Sequence, residues 1–266
     1  MFRGKINWLA HQFWCLRARA PYYLWKLALP EEPFSAYYTY KTIKALKRDE
    51  RHPSLGRIPK DQQEFDRSGE KYLNILIEAG MQPHHRCLDY GCGALRVGRK
   101  LINYLEPGNY FGMDTVPDFF CRGLKAVGQV LLTEKMPLCA VISRESLAEG
   151  KAFSPDFVIS TSVLQHVPPK EVRAYFPNIL AILQPHTKAL INYRNGPRVA
   201  LRSKTSWVHP YTFLAEIVYS LGGRLDQYSA NLLLLTADWP RLTSVIEKPM
   251  LEEFLPEAEV VNSQQG

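Results

Sequence analysis

Short apolar runs alternate, from residue 86 onward, with longer segments that are apolar on one helical face. The runs are bounded by Gly, Pro, Asp or Ser, which is typical of buried strands. They predict strands at residues 87–89, 110–114, 138–143, 157–160 and 189–193. The helical segments predict helices at 95–105 and 117–135 and a further helix that ends at Leu183. Because a helix separates successive strands, we expect a parallel sheet that is covered on both faces.

The C-terminal part of the pattern changes from this alternation to a hairpin. Residues 211–221 predict a helix, and the apolar runs at 224–229 and 232–236 are close enough to pair with each other. The fold class is therefore α/β: a doubly wound, Rossmann-like sheet, mostly parallel, with an antiparallel C-terminal hairpin. A helical N-terminal extension precedes it.

The N-terminal part is less regular. A helix is expected to begin near Gln62 and to end at Gly80, whereas residues 30–60 contain four prolines and predict an irregular connector. We expect three parts in the chain: the extension at residues 1–60, the main domain at 61–240 and a tail at 241–266.

Length and composition narrow the class of protein. The 266 residues suit one large α/β domain with extensions, and the 46% hydrophobic and 22% charged residues exclude a wholly disordered or collagen-like chain. No run approaches the roughly 18 apolar residues of a membrane-spanning helix, which excludes an integral membrane protein.

The five cysteines are odd in number and lack the spacing of a zinc knuckle. They indicate a reducing, cytoplasmic location without a disulfide framework, and we predict no metal.

Basic charge is concentrated in the N-terminal quarter of the chain. Residues 1–60 contain twelve Lys or Arg and four Asp or Glu, while residues 61–266 contain twenty-one and twenty-two. Because residues 61–266 are electrically balanced, the basic pI does not argue for a nucleic-acid partner.

The first residues have an apolar stripe at helical spacing, with tryptophans nearby: Phe2, Ile6, Leu9, Phe13 and Leu16, with Trp8, Trp14 and Trp25. Such a segment is typical of a helix that caps the main domain, of a peripheral membrane contact through residues 1–29, or of a targeting sequence.

The turn after the first predicted strand suits an adenosyl cofactor. Gly91 and Gly93 permit close approach of a ligand. Asp114 ends the second strand, where a carboxylate can accept hydrogen bonds from both hydroxyls of a ribose. A nicotinamide dinucleotide would require a third glycine at position 96, which is Arg96, and its pyrophosphate would be repelled by Asp89. A ligand with an ammonium group, such as S-adenosylmethionine, fits Asp89 better.

Several motifs, in order, resemble those of the class I S-adenosylmethionine-dependent methyltransferases. The matching segments are 88–93 (Leu-Asp-Tyr-Gly-Cys-Gly), 110–114 (Tyr-Phe-Gly-Met-Asp), 156–167 and the turn 183–185 (Leu-Gln-Pro). The run from Gly91 to Asp114, with Ser68, Gly69 and Tyr72 upstream, is similar to a bacterial branch of that family, of the small-molecule or glycan type. The resemblance covers residues 62–195, about half of the chain.

Two positions differ from the family pattern. The family usually has Gly-Gly where this chain has His186-Thr187, and Pro177 falls inside a predicted helix, which we expect it to kink or break. Both differences concern what we expect to be the far edge of the pocket.

The resemblance implies a set of cofactor-binding residues. It places the turn of Tyr90, Gly91, Cys92 and Gly93 at the methionine part, with Asp89 toward its ammonium group and Asp114 on the ribose hydroxyls. It places Thr115 or Val116 against adenine, Glu145 toward the adenine amino group, Ser160 and Thr161 near the sulfonium, and Arg96 on the carboxylate. A solvated surface position is the alternative for both Glu145 and Arg96.

Two histidines are candidates for a general base. His166 follows the fourth strand and is expected at the mouth of the pocket, either as a base or as a brace of the loop before Pro168. His209, with Trp207 and Tyr211, is the weaker candidate.

Three arginines after the fifth predicted strand are spaced by four residues: Arg194, Arg198 and Arg202. On a helix these would form an anion-binding stripe, but Gly196-Pro197 favours a solvated loop.

The leading hypothesis is an S-adenosylmethionine-dependent methyltransferase that transfers a methyl group to a hydroxyl of a small-molecule or glycan-type acceptor. The alternative is a catalytically silent cofactor-binding or scaffolding protein on the same fold, which the His186-Thr187 turn favours. Asp89 and Arg96 argue against an NAD-dependent oxidoreductase, and the absence of an Asn-Pro-Pro-Tyr type of motif argues against a DNA substrate. The basic N-terminus leaves RNA as a minor alternative.

Overall fold

The computed structural model describes residues 20–48, 59–203 and 206–238. The predicted apolar stripe from Phe2 to Leu16 and the predicted tail at 241–266 lie outside these residues.

A seven-stranded sheet forms the centre of the molecule. The strands of the chain are β1 (Cys87–Tyr90), β2 (Tyr110–Asp114), β3 (Leu138–Val141), β4 (Phe157–Ser160), β5 (Lys188–Asn192), β6 (Ala200–Ser203), β7 (Ser206–Val208), β8 (Gly223–Ser229) and β9 (Leu232–Ala237). The order in the sheet is β3-β2-β1-β4-β5-β9-β8. The strands from β3 to β5 are parallel, and β9 is antiparallel to both β5 and β8. The predicted α/β fold with an antiparallel C-terminal hairpin is therefore confirmed.

Helices cover both faces of this sheet. They are α1 (residues 20–28), α2 (Phe34–Arg48), α3 (Pro59–Glu78), α4 (Gly98–Tyr104), α5 (Pro117–Val127), α6 (Gln129–Lys135), α7 (Arg144–Phe153), α8 (Val172–Ile182) and α9 (Tyr211–Ser220). The predicted helix at 117–135 is divided into α5 and α6 at Gly128, whose φ of 92° is incompatible with a continuous helix. In the described part of the chain, no helix combines the length and the apolar character that crossing a bilayer requires.

The side chains of each strand alternate between two hydrophobic cores. On one face, Leu88 and Tyr90 of β1 pack with the buried residues of α8 and α9. On the other face, Cys87 packs with α3, α4 and Tyr110. Because both faces of β1, β2, β4 and β5 are buried, these strands are mainly apolar, which explains their clear signal in the sequence.

The structure corrects parts of three predictions about local structure. Residues 30–60 are not an irregular connector throughout, since α2 occupies Phe34–Arg48. Pro30 and Pro33 precede its first turn, where proline is tolerated because the first N–H groups of a helix have no partner within it. Pro177 does not break its helix, since α8 continues through it to Ile182.

The third correction concerns the basic segment after β5. Residues 193–199 of this segment are irregular, as a solvated loop would be, but β6 and β7 follow and pair as a hairpin, which was not expected. Arg198 is exposed in the irregular part and Arg202 is exposed on β6, whereas Arg194 is half-buried, so the three arginines do not form a stripe on a helix.

The unusual turn at His186-Thr187 lies far from the expected pocket. It precedes β5, and therefore lies at the edge of the parallel strands opposite to the one where β2 ends at Asp114. Thr187 Oγ1 donates to the Pro155 carbonyl at 2.6 Å and accepts from the Gln184 N–H at 2.8 Å. These bonds hold the turn without the usual glycines, so this departure has no consequence for the pocket.

Candidate functional site

The glycine turn after β1 is closed on one side and open on the other. Gly91 has a φ of 79°, and a Cβ atom there would collide with the side chain of Val163. Gly93 has a φ of 53°, and a Cβ atom there would meet nothing within 4 Å. The N–H groups of Gly91 and Cys92 both donate to the Met113 carbonyl, at 2.7 and 2.9 Å, which fixes the turn to β2. The turn therefore presents its backbone at Gly93 to open space.

Asp114 joins the end of β2 to this turn. Its Oδ2 accepts from the Gly93 N–H at 2.8 Å, and its Oδ1 accepts from the Val116 N–H at 2.8 Å. Burial raises the pKa of this carboxyl, and the backbone donors Val116, Gly93 and Thr115 act in the opposite direction. Each carboxylate oxygen has a second lone pair that can accept a hydroxyl group of a ligand.

Asp89 lies beneath the turn and is fully buried. Its Oδ2 accepts from the Tyr110 hydroxyl at 3.1 Å, while its Oδ1 has no hydrogen-bond partner among the described residues. Burial raises the pKa of Asp89 to about 7, although the Tyr110 bond and the positive charge of Arg96 lower it. A buried acceptor without a donor is costly, so Oδ1 is a position where a ligand donor or a water would be stabilised.

Arg96 lies at the junction of the turn, α3 and the end of β4. Its guanidinium donates to Ser68 Oγ at 2.8 Å and to Thr161 Oγ1 at 3.2 Å, with Ser162 Oγ at 3.3 Å, and it lies over the ring of Tyr72. Among the described residues, no carboxylate lies within 4 Å of it. The hydrogen-bond partners of this half-buried cation are all neutral, so its charge is available to an anionic ligand. Its placement differs from that of a solvated surface arginine.

The side chains of Tyr90 and Ser160 face away from this junction. The Tyr90 hydroxyl accepts from Asn178 Nδ2 at 3.1 Å, and Ser160 Oγ accepts from the Tyr175 hydroxyl at 2.8 Å. Both therefore pack toward α8, and only their main chains border the turn. The side chain of Cys92 is also buried in a core.

Beyond β3, Ser143 caps α7 through a pair of hydrogen bonds with Ser146. Glu145 is exposed in the first turn of α7, and a hydrogen bond with Ser143 lowers its pKa. Its placement matches the exposed helix-start alternative. Thr115 is half-buried directly after Asp114, while Val116 packs against Ala94 beneath α2.

His209 is enclosed in the protein and is not placed to act as a base. It is fully buried, its Nε2 pairs with the Val167 carbonyl at 3.1 Å, and its ring stacks on Phe213. Burial lowers its pKa, which favours the neutral ring. We therefore correct its predicted catalytic role to one of fixing β7 to the loop after β4.

His166 lies at the mouth of the site beneath α2. Its ring stacks on that of Tyr38, with 5.7 Å between centroids. Burial raises the pKa of Tyr38 to about 12, and the charge of Asp114 contributes to this increase. Tyr38 of α2 is therefore close to both Asp114 and His166. Tyr38 was missed because the helix that carries it was missed.

A hydrogen-bond chain sets the protonation of His166. Arg194 Nε donates to Gln165 Oε1, and because arginine has only donors, the Gln165 oxygen must face it. The Gln165 amide nitrogen then faces His166 Nε2 at 3.3 Å as a donor. The neutral tautomer of His166 that accepts this bond at Nε2 is the one with its proton on Nδ1.

The described residues contain no group of three or more His, Cys, Asp or Glu that could hold a metal ion. No protein-family model matches the chain.

The fold is shared with solved methyltransferase structures. Magnesium protoporphyrin IX methyltransferase from Synechocystis PCC 6803 with bound SAH is 14% identical, with a TM-score of 0.54 over 76% of this chain and 97% of that one. The 1,6-didemethyltoxoflavin-N1-methyltransferase of Burkholderia thailandensis with bound S-adenosylhomocysteine is 15% identical, with a TM-score of 0.51 over 77% and 88%. A third solved structure, described by the words "Conversion of a Disulfide Bond into a Thioacetal Group during Echinomycin Biosynthesis", is 16% identical. Its TM-score is 0.53, over 80% of this chain and 98% of that one. The chain thus has the fold of the class I S-adenosylmethionine-dependent methyltransferases.

Proposed function

We propose that this chain is an S-adenosylmethionine-dependent methyltransferase that acts on a small-molecule acceptor. The observation that carries the proposal is the bond between the buried Asp114 carboxylate and the Gly93 N–H, at the open side of the glycine turn. It joins a ribose-binding group to a backbone that a ligand can approach closely. Similar structures that contain S-adenosylhomocysteine support the choice of cofactor.

The residues around the turn fit the functional groups of that cofactor. Asp114 would hold the ribose hydroxyls, Gly93 would contact the methionine part, and Arg96 would hold the carboxylate. Asp89 Oδ1 would accept from the ammonium group, directly or through a water. When bound, the cofactor supplies a methyl group on a positively charged sulfur.

We further propose that the acceptor presents a hydroxyl of a small-molecule or glycan type, and that His166 removes its proton. The base in this proposal is His166 Nε2, in the tautomer that accepts from the Gln165 amide and carries its proton on Nδ1. The hydroxyl would replace the Gln165 amide as donor, and its proton would pass to Nε2.

We also place the protein in a reducing cytoplasm, which the free thiols of Cys87, Cys92, Cys121 and Cys139 support.

Calorimetric titration with S-adenosylmethionine and with S-adenosylhomocysteine tests the cofactor assignment. The wild-type protein should bind both ligands, and Asp114→Asn should bind neither. Asp118→Asn is the matched control because Asp118 is exposed in the first turn of α5. A folded wild-type protein that binds neither ligand would overturn the proposal. If both ligands bind, transfer of labelled methyl to hydroxyl-bearing compounds tests the acceptor.

A further inference from the structure

We propose that the outer face of α1 and the lysines of α2 dock this protein on an anionic phospholipid membrane. The inference concerns residues 20–48 and does not depend on the proposed activity.

The helix α1 has two opposite apolar faces. Tyr22 and Trp25 face inward, where they pack with Phe34 and Tyr37 of α2. Leu24 and Leu27, on the opposite side, are 68% and 80% exposed. The inward face already accounts for the packing of α1 on the domain. The outer leucines therefore serve no contact among the described residues that folding would require.

Other apolar side chains of residues 20–48 are also exposed. Tyr23 and Leu29 are 46% and 45% exposed, and Tyr40 of α2 is 51% exposed. Single exposed apolar residues are ordinary, but a group of this kind on two adjacent helices marks a surface for an apolar partner. A tyrosine at its border suits the headgroup region of a bilayer, where one end of the ring is apolar and the other is hydrated.

The charge around the patch selects the partner. The segment 20–48 contains five basic and two acidic side chains, and the acidic pair, Glu31 and Glu32, is exposed between α1 and α2. On α2, Lys41, Lys44 and Lys47 are exposed. The Lys41 ammonium lies over the Tyr37 ring, which packs against Trp25, so the basic side of α2 adjoins α1.

Apolar side chains bordered by lysines are complementary to a bilayer with anionic headgroups, in which leucines insert and lysines remain at the surface. A soluble acidic protein would match the lysines but not a patch of this apolar character. The sequence supports the same partner, since Arg17 and Arg19 stand directly before residue 20 in the chain.

Co-sedimentation of the full chain with vesicles tests the proposal. The protein should bind vesicles of phosphatidylcholine mixed with phosphatidylserine, bind weakly to phosphatidylcholine alone, and dissociate as salt is raised. Each of Lys44→Gln and Lys47→Gln should lower the partition coefficient about five-fold. Leu24→Glu with Leu27→Glu should lower it by about a hundred-fold or more, because two leucines no longer insert.

The matched control is Val130→Glu with Met136→Glu, since these side chains are 74% and 58% exposed at the other end of the sheet, beside β3. The control should bind vesicles as the wild type does, and both double variants should keep the wild-type melting temperature. Equal losses in the two double variants, or binding that ignores lipid charge, would overturn the proposal.

Two further measurements distinguish other occupants of the patch. If Leu24→Glu with Leu27→Glu abolishes self-association in sedimentation velocity without lipid, the patch binds a second copy and the membrane proposal is wrong. A Leu27→Cys variant should react rapidly with a maleimide without vesicles and slowly with anionic ones, as read by peptide mass spectrometry. Slow reaction without vesicles would show that another part of the chain covers the face, which would also overturn the proposal.

Discussion

Burial makes Asp89 hold its proton to an unusually high pH. Its folded-state pKa is raised from 3.8 to about 7, chiefly by burial, so the folded protein binds a proton that the unfolded chain has already lost. The free energy of unfolding of the ligand-free protein should therefore decrease as pH rises from about 4 to about 7, and level off above that. Asp89→Asn removes this ionisation, so the variant should gain stability relative to wild type over the same range.

Urea unfolding at pH 5 and pH 8 measures the difference. The control is Asp118→Asn, which lies on the surface and should follow the wild type at both values. If wild type and Asp89→Asn lose stability in parallel between the two pH values, Asp89 is ionised in the folded protein and the argument from its burial is wrong.

The residues of the site that the sequence identified are those fixed by local backbone geometry. Gly91, Gly93 and Asp114 stand at strand ends with a spacing that constrains the turn, and the structure joins them by hydrogen bonds. The environment of His209 could not be predicted in this way. Its burial depends on β7 and on the loop after β4, which are distant in sequence, and the same is true of the contact between His166 and Tyr38.

Elements were predictable where both of their faces are buried. The strands β1, β2, β4 and β5 are mainly apolar runs because helices cover them on each side. The helix α2 was not predictable, because its tyrosines and threonines give a weak helical preference. Its stability depends on contacts such as that of Phe34 with Trp207 of β7. The short hairpin of β6 and β7 was missed for the same reason, since Trp207 packs against Phe34 and Tyr37 of α2, which are distant in sequence.

A side chain from the main domain caps the first turn of α2. Glu171 Oε1 accepts from the Phe34 N–H at 2.6 Å, and the Ser35 N–H also bonds to this carboxylate. The first N–H groups of a helix have no partner within it, so Glu171→Ala leaves donors unsatisfied. We expect a loss of about 1–2 kcal/mol in the free energy of unfolding, and a smaller loss for Glu171→Gln, which keeps an acceptor.

Urea unfolding and hydrogen exchange of the α2 amides check this prediction. Glu149→Ala provides a comparison, since Glu149 is exposed on α7 and makes no such bond. Unchanged exchange in α2 of Glu171→Ala would mean that the aromatic contacts alone hold this helix on the domain.

At the scale of the whole molecule, α2 bridges two distant parts of the domain across the proposed cofactor site. Near its beginning, Phe34 and Tyr37 pack against Trp207. Near its end, Leu46 packs against Ala94 of the glycine turn and against Val116. Between them, Tyr38 lies within the electrostatic influence of Asp114. A ligand bound at Asp114 would therefore lie beneath this helix.

Binding of S-adenosylhomocysteine should consequently protect α2 from opening. A ligand present at a hundred times its Kd stabilises the bound state by about 2.7 kcal/mol, which corresponds to a roughly hundred-fold slower exchange in segments that must open to release it. The amides of α2 should show this slowing, while those of α6, which has no buried residues, should not change. Asp114→Asn should show no effect of the ligand on either helix. Protection confined to the glycine turn, with α2 exchanging as before, would instead show that the helix opens independently of the cofactor and is not its cover.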